Sequence, residues 1–249
     1  MATIIKVSGA DFSAVAVGFV PPVASGLVGW WLLGGSQAAS VRNLAPGGAD
    51  AGVAGAPSYS AGYASFDGVA GAYFTTSIPE AESMTFVVAG RSADTFAGAT
   101  TRPAFVSAYN NTLEPTGVAL MAQAVGSGGA PACNMGLFVD YDSGTGAITA
   151  TNLPAFDSFR AFAGVVEGGV GRTVYDLTGA TSTTASSAAS RSSTGIAARN
   201  MQIGAGYAGN RGISDIAFVA IYSRALSAGE LTTIYEFVDP ILAARGVTV

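Results

Sequence analysis

The stretch GLVGWWLLGG, residues 26–35, decides the fold. It holds both tryptophans of the chain, Trp30 and Trp31, and no charged residue. Three interpretations compete: a membrane anchor, a surface that stacks on sugar rings, or the first strand of a packed sheet. Adjacent side chains on a strand point to opposite faces. We therefore expect at most one tryptophan in the core, with the other directed outward or toward the residues that precede the strand.

A membrane anchor is excluded by the prolines that precede this stretch. The uncharged run extends from Phe12 to Val41 and is long enough for a spanning helix. Pro21 and Pro22, within that run, remove two backbone donors and prevent a continuous helix. The N-terminus, MATIIKVSGADFSAVAVG, lacks a basic region, and Asp11 interrupts its apolar residues. The sequence therefore predicts neither a membrane span nor a signal peptide.

Composition excludes several classes of function. The chain has 249 residues, of which 49% are hydrophobic and 11% charged, with a net charge of −5. It has no histidine, which excludes zinc sites, Ser-His-Asp triads and Cys-His dyads in their usual forms. Its single cysteine cannot form an intrachain disulfide. An acidic chain without a basic cluster lacks the charge pattern of nucleic-acid binding.

From Gly26 onward, short apolar segments alternate with turns. Strand candidates include SMTFVVAGRS, NMGLFVDYD, RAFAGVVEGG and GISDIAFVAIYSR, and turn signals such as DSGTG and EGGVG lie between them. Many short strands without intervening helices predict an all-β sandwich or barrel. The Ser/Thr/Ala-rich residues 181–195 are predicted to form a loop.

The two ends of the chain carry different signals. Ser227 and Glu230 form an S-x-x-E capping box, which predicts a short C-terminal helix from about Ala228 to Val238, stopped by Pro240. Residues 1–25 are apolar, carry Pro-Pro near their end and favour an N-terminal arm that serves assembly. A first strand plus linker of the same domain is an equally supported alternative. Residues 26–249 form the main domain.

The ordered segments resemble the laminin-G-like, concanavalin A-like lectin-glucanase jelly-roll family. The opening strand, the FDG hairpin and SMTFVVAGRS match the start of its pattern, and FAGVVEGGVGRTVYDLTG and MQIGAG match later parts. The most specific match is IYSRALSAGELTTIY, residues 221–235. The resemblance covers roughly residues 26–237. It implies a two-sheet antiparallel sandwich with a concave face where many members bind glycans.

The acidic residues offer few candidates for chemistry. Glycosidases of this fold carry an E-x-D-x-E strand, which this sequence lacks, so we predict no catalytic residue. Asp140 and Asp142 would share one face of a strand, and they could contact a ligand, form a catalytic pair or hold Ca²⁺. Because they adjoin the DSGTG turn, a solvent-facing hairpin tip is the first interpretation. Glu80 and Glu82 are predicted to lie in an exposed loop.

Two loops combine aromatic rings with amides, which is what a sugar site requires. Sugars present apolar C–H faces edged by hydroxyl donors and acceptors. The loops are AYNNTLEPTG and GAGYAGNRG, and each could equally be an ordinary surface loop. Their candidate ligand-binding residues are Tyr109, Asn110 and Asn111 in the first loop, and Tyr207, Asn210 and Arg211 in the second.

The stretch GADFSAVAVGFVPPVASGLVGWW, residues 9–31, is similar to leaders of bacteriophage and prophage tail-associated proteins. This similarity implies a non-enzymatic virion protein of a tail tip or fibre, made in the bacterial cytoplasm, whose lectin-like domain recognises a host-surface glycan. The expected partners are a cell-surface polysaccharide, other tail proteins through residues 1–25, and further copies of the chain in a homo-oligomer. The alternatives are a purely structural virion protein and a glycosidase that acts on bacterial polysaccharide. No cofactor is expected, apart from the candidate Ca²⁺.

Overall fold

The structure, a computed structural model, describes residues 19–96, 98, 100–124, 133–142, 146–153, 156–187, 191 and 195–249. The two helices are α1 (Gln37–Ser40) and α2 (Ala228–Ala244). The strands are β1 (Leu27–Leu32), β2 (Gly52–Ala54), β3 (Ser58–Tyr59), β4 (Ala64–Asp67), β5 (Tyr73–Pro79), β6 (Met84–Arg91), β7 (Ala104–Ser107), β8 (Ala119–Ala124), β9 (Cys133–Val139), β10 (Ala147–Leu153), β11 (Arg160–Glu167), β12 (Gly171–Asp176), β13 (Thr181–Ser186), β14 (Asn200–Ile203) and β15 (Ile213–Tyr222).

The strands form two antiparallel sheets. The eight-stranded sheet has the order β13-β12-β11-β6-β15-β4-β3, and β1 also pairs with β15. The seven-stranded sheet has the order β10-β9-β8-β7-β14-β5-β2. The longest strand, β15, pairs with β6 along one edge and with β1 and β4 along the other. The predicted all-β, two-sheet antiparallel jelly-roll sandwich is confirmed.

Two core layers explain the paired tryptophans of β1. Trp31 lies between the sheets, whereas Trp30 lies between the eight-stranded sheet and α2. The prediction that they point to opposite faces is confirmed. The expectation that at most one belongs to a core is wrong, because both are fully buried. The Trp30 ring packs 4.7 Å from that of Phe218 beneath the helix, so the outer side of β1 is a second core.

Helix α2 begins at the predicted capping box but runs past its predicted end. Ser227 Oγ accepts a hydrogen bond from the Glu230 N–H, and Glu230 Oε2 accepts one from the Ser227 N–H. The helix continues through Pro240 to Ala244, so the predicted stop at Val238 is wrong. Leu242, two residues beyond the proline, is fully buried in the second core. Its burial offsets the backbone hydrogen bond that proline cannot donate.

The described part of the predicted arm packs on the domain itself. The ring of Phe19 lies 5.0 Å from that of Trp30. Farther along, the Tyr222 hydroxyl donates to the Val23 carbonyl (3.1 Å), and Arg224 Nε donates to the carbonyl of residue 25 (2.8 Å). An assembly role for residues 1–25 stays a prediction, since residues 1–18 lie outside the described residues. No helix in the described part of the chain is long and apolar enough to cross a membrane.

The predicted loop over residues 181–195 is wrong for its first six residues. They form β13, which pairs with β12 along its whole length. Thr173 and Thr184 face each other across this pair, with their hydroxyl oxygens 3.0 Å apart. Threonine is β-branched and fits a strand well, and this outweighs the low complexity of the segment.

Candidate functional site

The outer face of the seven-stranded sheet is the surface that α2 leaves uncovered. Along β9, the side chains of Met135 and Leu137 point into the core, and that of Phe138 points outward. The outward-facing residues at the centre of this sheet are small or flexible, namely Ala104, Ala119 and Met121. Small side chains leave room for larger groups to lie on the sheet.

Four half-exposed aromatic side chains occupy this face. Tyr109 packs edge-on against Phe138, with ring centroids 5.0 Å apart, above the small residues of β7 and β8. The Tyr207 hydroxyl donates to the carbonyl of Asn200 in β14 (3.0 Å). Burial raises the pKa of Tyr207, and Tyr73 stands close enough to add to that rise. We call these four residues the aromatic row; they are Tyr73, Tyr207, Tyr109 and Phe138.

The two predicted loops lie side by side, which brings their candidate residues to one place. The Tyr207 N–H donates to the Tyr109 carbonyl (2.8 Å), and the Asn111 N–H donates to the Ala208 carbonyl (3.3 Å). Asn110 and Ala208 form an isolated β-bridge between the loops. Burial raises the pKa of both tyrosine hydroxyls, so both are protonated at neutral pH and can donate and accept hydrogen bonds.

Two of the candidate asparagines shape these loops. Asn110 is 9% exposed, and its side-chain oxygen accepts from the backbone N–H (2.9 Å) and the hydroxyl (2.7 Å) of Thr112. Asn210 is 4% exposed and has a φ of 50°, a left-handed conformation that asparagine tolerates better than most residues. Asn111, in contrast, is exposed beside Gly209 and free to meet a ligand.

Arg211 joins the second loop to the rim of the site. Its guanidinium donates to the carbonyls of Gly206 (3.3 Å) and Tyr207 (2.5 Å). Burial raises the pKa of Tyr109, and Arg102 is close enough to oppose that rise through its charge. Neither arginine forms an ion pair with a described carboxylate. The rim therefore carries two arginines, and the exposed Glu114 lies close enough to act on Tyr109 as well.

Asp140 lies beneath the first loop instead of at a hairpin tip. It is 1% exposed and follows the last residue of β9, Val139. Its Oδ2 accepts from the backbone N–H (2.7 Å) and the hydroxyl (2.9 Å) of Thr116, and its Oδ1 accepts from the Tyr141 N–H (3.0 Å). The solvent-facing interpretation is therefore wrong for Asp140, and Asp140 and Asp142 do not share a strand face. Asp140 holds the loop instead.

These contacts bear on the candidate calcium site. Both carboxylate oxygens of Asp140 already accept hydrogen bonds from the protein, and Asp142 is half-exposed. Among the residues that the structure describes, no three Asp, Glu, Cys or His side chains are grouped so as to hold a metal ion. Calcium prefers six to eight oxygen ligands. The described residues therefore do not fit a calcium site, and calcium binding stays a prediction without support from the geometry.

Arg199 is the positioning residue that sequence reasoning missed. Its Nε donates to the Ala108 carbonyl (2.9 Å), and its Nη2 donates to the carbonyls of Pro115 (2.7 Å) and Thr116 (2.9 Å). The same guanidinium lies 5.8 Å from the centre of the Tyr207 ring. Burial lowers the pKa of Arg199. One side chain thus ties the first loop to the ring of the second.

A buried ion pair supports the site from below. Arg191 and Glu80 are paired through Nη2 and Oε1, and both side chains are fully buried. Arg191 Nε donates to the Asp140 carbonyl (3.1 Å), and Glu80 Oε2 accepts from the Ala197 N–H (3.1 Å). Burial lowers the pKa of Arg191 to about 10. The predicted exposed position of Glu80 is wrong, because the preceding strand delivers it to this arginine.

The sequence matches no protein-family model and no curated protein sequence. In structure, the chain is similar to the binding domain of Paraclostridial Mosquitocidal Protein 1, with a TM-score of 0.58 and 14% identity over 84% of this chain and 52% of that one. It is also similar to the receptor binding domain of botulinum neurotoxin type G, with a TM-score of 0.61 and 10% identity over 86% and 52% of the two chains.

A third similar structure comes from botulinum neurotoxin type C, whose cell entry depends on interaction with two ganglioside molecules. Its TM-score is 0.56, with 10% identity over 84% of this chain and 51% of that one. The chain spans about half the length of these solved structures. At such identities the likeness shows the fold alone. The chain is thus a jelly-roll β-sandwich of the kind that also occurs in binding domains of toxins.

Proposed function

We propose that this chain is a non-enzymatic glycan-recognition protein of a phage or prophage virion, in a tail tip or fibre. The observation that carries the proposal is the aromatic row, four half-exposed rings on the sheet face that no α2 residue covers. A host-surface polysaccharide would lie along this row. The tail setting rests on the similarity of the N-terminal residues to tail-associated leaders.

The chemistry of the row suits a sugar. A tyrosine ring offers an apolar face to the C–H groups of a pyranose, and its hydroxyl exchanges hydrogen bonds with the sugar. Asn111, exposed beside the rings, adds an amide that can donate and accept at once. The loops are held by Arg199 and Asp140 before any ligand arrives, which reduces the ordering cost of binding.

The structural neighbours support a binding role. The matched parts belong to receptor-binding and binding domains, and one of these toxins interacts with gangliosides, which are glycolipids. A virion presents many copies of a fibre protein, so a weak contact at each copy would add up to firm attachment.

A glycan array probed with the full-length oligomer tests this proposal. We expect wild type to bind at least one bacterial surface polysaccharide. Tyr109→Ala and Tyr207→Ala should each weaken binding by roughly 10-fold, the equivalent of about 1.4 kcal/mol. Tyr63→Ala is the matched control, because Tyr63 is a half-exposed tyrosine that directly precedes β4 of the other sheet and packs against Phe159.

Two outcomes would favour the alternatives. If the intact oligomer binds no glycan, the chain is better explained as a purely structural virion protein. If the wild-type protein cleaves the polysaccharide, the chain is a glycosidase and the non-enzymatic proposal is wrong. Thermal melts of each variant separate loss of binding from loss of fold.

A further inference from the structure

A groove opens on the opposite side of the sandwich, between α2 and the end of the eight-stranded sheet. The helix covers β15, β6 and β11 but stops short of β12 and β13. The space left between the helix flank and these two strands has a volume of about 450 Å³. Small-molecule sites fall between about 300 and 1,000 Å³. We call this space the helix groove; its walls include Tyr175, Thr181, Ser182, Thr232, Tyr235 and Glu236.

Each wall of the helix groove contributes one tyrosine. Tyr175 points outward from β12, because its neighbour Val174 points into the core between the sheets. Tyr235 lies on the flank of α2, near Thr178. Both rings are half-exposed. Two aromatic side chains facing one groove provide apolar surface for the C–H faces of a bound sugar.

Hydroxyl groups surround the two rings. Ser182 is exposed at the start of β13, on the same face of the sheet as its partner Tyr175, and Thr232 is exposed on the helix one turn before Glu236. The Ser182 hydroxyl can both donate and accept a hydrogen bond, whereas the Thr232 hydroxyl donates to the Ala228 carbonyl (3.1 Å) and can accept one from a sugar. Apolar rings edged by hydroxyl groups would complement the C–H faces and the hydroxyls of a sugar.

The walls are fixed without a ligand. Asp176 is 3% exposed, pairs with Arg160 at 2.6 Å and accepts from the Gly179 N–H at 3.0 Å, so the turn between β12 and β13 is held in place. On the other wall, the capping box and the burial of Ile234 and Val238 hold the helix to the sheet. Because the walls are already ordered, ordering them on binding costs little free energy.

Charge distinguishes this groove from the aromatic row. Two carboxylates belong to its lining, Asp176 and Glu236, and no lysine or arginine does. Arg160 neutralises Asp176, which leaves Glu236 unpaired among the described residues. An acidic sugar would be repelled by Glu236, whereas a neutral sugar would use its carboxylate as an acceptor.

We propose that the helix groove is a second saccharide site, which takes a neutral sugar unit between Tyr175 and Tyr235. It does not require the aromatic row to bind a glycan, because the two sites lie on the outer faces of different sheets. With both sites in use, one domain would contact two glycan segments on opposite sides of the sandwich and gain avidity from the pair.

The test titrates the full chain with single sugars. The neutral probes are glucose, galactose and N-acetylglucosamine, and the charged probes are glucuronic acid and glucosamine. We expect at least one neutral sugar to bind with a Kd below about 10 mM, which is the range of weak single-site contacts. Tyr175→Ala and Tyr235→Ala should each weaken that binding by roughly 10-fold, or about 1.4 kcal/mol. Tyr109→Ala should leave it unchanged.

Two further variants guard against a loss of fold. Ser182→Trp places a large ring into the helix groove from an exposed strand position and should block binding. Thr233→Trp is the matched control, because Thr233 is exposed on α2, the helix that forms one wall of the groove, but lies outside the groove lining. Thermal melts and far-ultraviolet circular dichroism of each variant report whether it is folded.

Three outcomes would overturn the proposal. The first is that no neutral sugar binds wild type. The second is that neutral sugars bind and Ser182→Trp binds them as well as Thr233→Trp does. The third is that glucuronic acid, which Glu236 should repel, binds more tightly than every neutral probe. Tyr109→Ala and Tyr207→Ala test the aromatic row alone. If the helix groove binds no sugar, those two variants still decide whether the aromatic row binds a glycan.

Discussion

The two outer faces of the sandwich follow the same strand alternation and end with opposite surfaces. On the eight-stranded sheet, the outward residues are Val87, Ala89, Val165 and Phe218, and α2 buries them. On the seven-stranded sheet, the outward residues at the centre are smaller, and a row of half-exposed rings lies over them. The inner faces of both sheets are buried against each other, but only the eight-stranded sheet also has its outer face covered. The helix α2 packs on the eight-stranded sheet because the outer face of that sheet is apolar.

The largest expected effect breaks the covered face. Trp30→Ala removes a fully buried ring that packs against Phe218 at 4.7 Å and Phe19 at 5.0 Å. We expect it to lower the free energy of unfolding by about 3–5 kcal/mol, measured by urea denaturation. Tyr207→Ala on the open face is the control and should cost far less. A loss below about 1 kcal/mol for Trp30→Ala would mean that α2 contributes little to stability.

The next effect separates positioning from contact on the open face. Arg199→Ala removes three hydrogen bonds to loop carbonyls and should cost about 1–3 kcal/mol of unfolding free energy. It should also weaken glycan binding on an array, although Arg199 need not touch the sugar. Arg199→Lys, which keeps the charge but not the planar fork, should recover binding only in part. Full recovery by lysine would show that charge alone matters.

A smaller effect concerns the start of α2 and depends on pH. Contacts with Arg224 and the Ser227 N–H lower the pKa of Glu230 to about 2, below its unfolded value of about 4.3. Its stabilising contribution is therefore present above about pH 4.3 and is lost as the pH falls toward 2. Glu230→Gln should cost about 1 kcal/mol at neutral pH, in the range of a helix cap.

The measurement is urea denaturation of wild type and Glu230→Gln at about pH 7 and about pH 2.5. The difference between the two proteins should shrink as the pH falls. If the difference in unfolding free energy between the two proteins is the same at both pH values, the negative charge of Glu230 does not contribute to stability.

The smallest effect tests the ring against its hydroxyl. Tyr207→Phe loses the 3.0 Å hydrogen bond to the Asn200 carbonyl but keeps the aromatic face. We expect a stability loss of about 0.5–1 kcal/mol in thermal denaturation and glycan binding close to that of wild type. Binding as weak as in Tyr207→Ala would assign recognition to the hydroxyl instead of the ring.

What the sequence predicts well is local. The capping box needs only residues three apart, and the Pro-Pro and GWW signals need only their neighbours. The opposite directions of Trp30 and Trp31 follow from strand geometry alone. The burial of Trp30 could not be predicted, because it requires a helix that begins almost two hundred residues later to pack on the same strand.

The candidate site divides along the same line. The mixed aromatic and amide composition marks both loops, but their contact arises because β14 pairs with both β5 and β7, segments far apart in the chain. The turn that follows Asp140 in the sequence predicts a solvent-facing side chain, whereas in the structure its carboxylate accepts a hydrogen bond from Thr116, a residue of the first loop. Arg199 carries no local signal at all. Its role appears only once the first loop lies beneath it.

The position of β15 has a consequence for how the protein is made. This strand lies between β6 and β4 and also pairs with β1, and all three precede it in the chain. During synthesis, the earlier strands therefore leave the ribosome with apolar faces and open edges that only a late segment can complete. Such pairing across large sequence separation folds slowly and exposes the nascent chain to aggregation. We expect truncation before Ile213 to yield insoluble protein, even though most of the strands would be present.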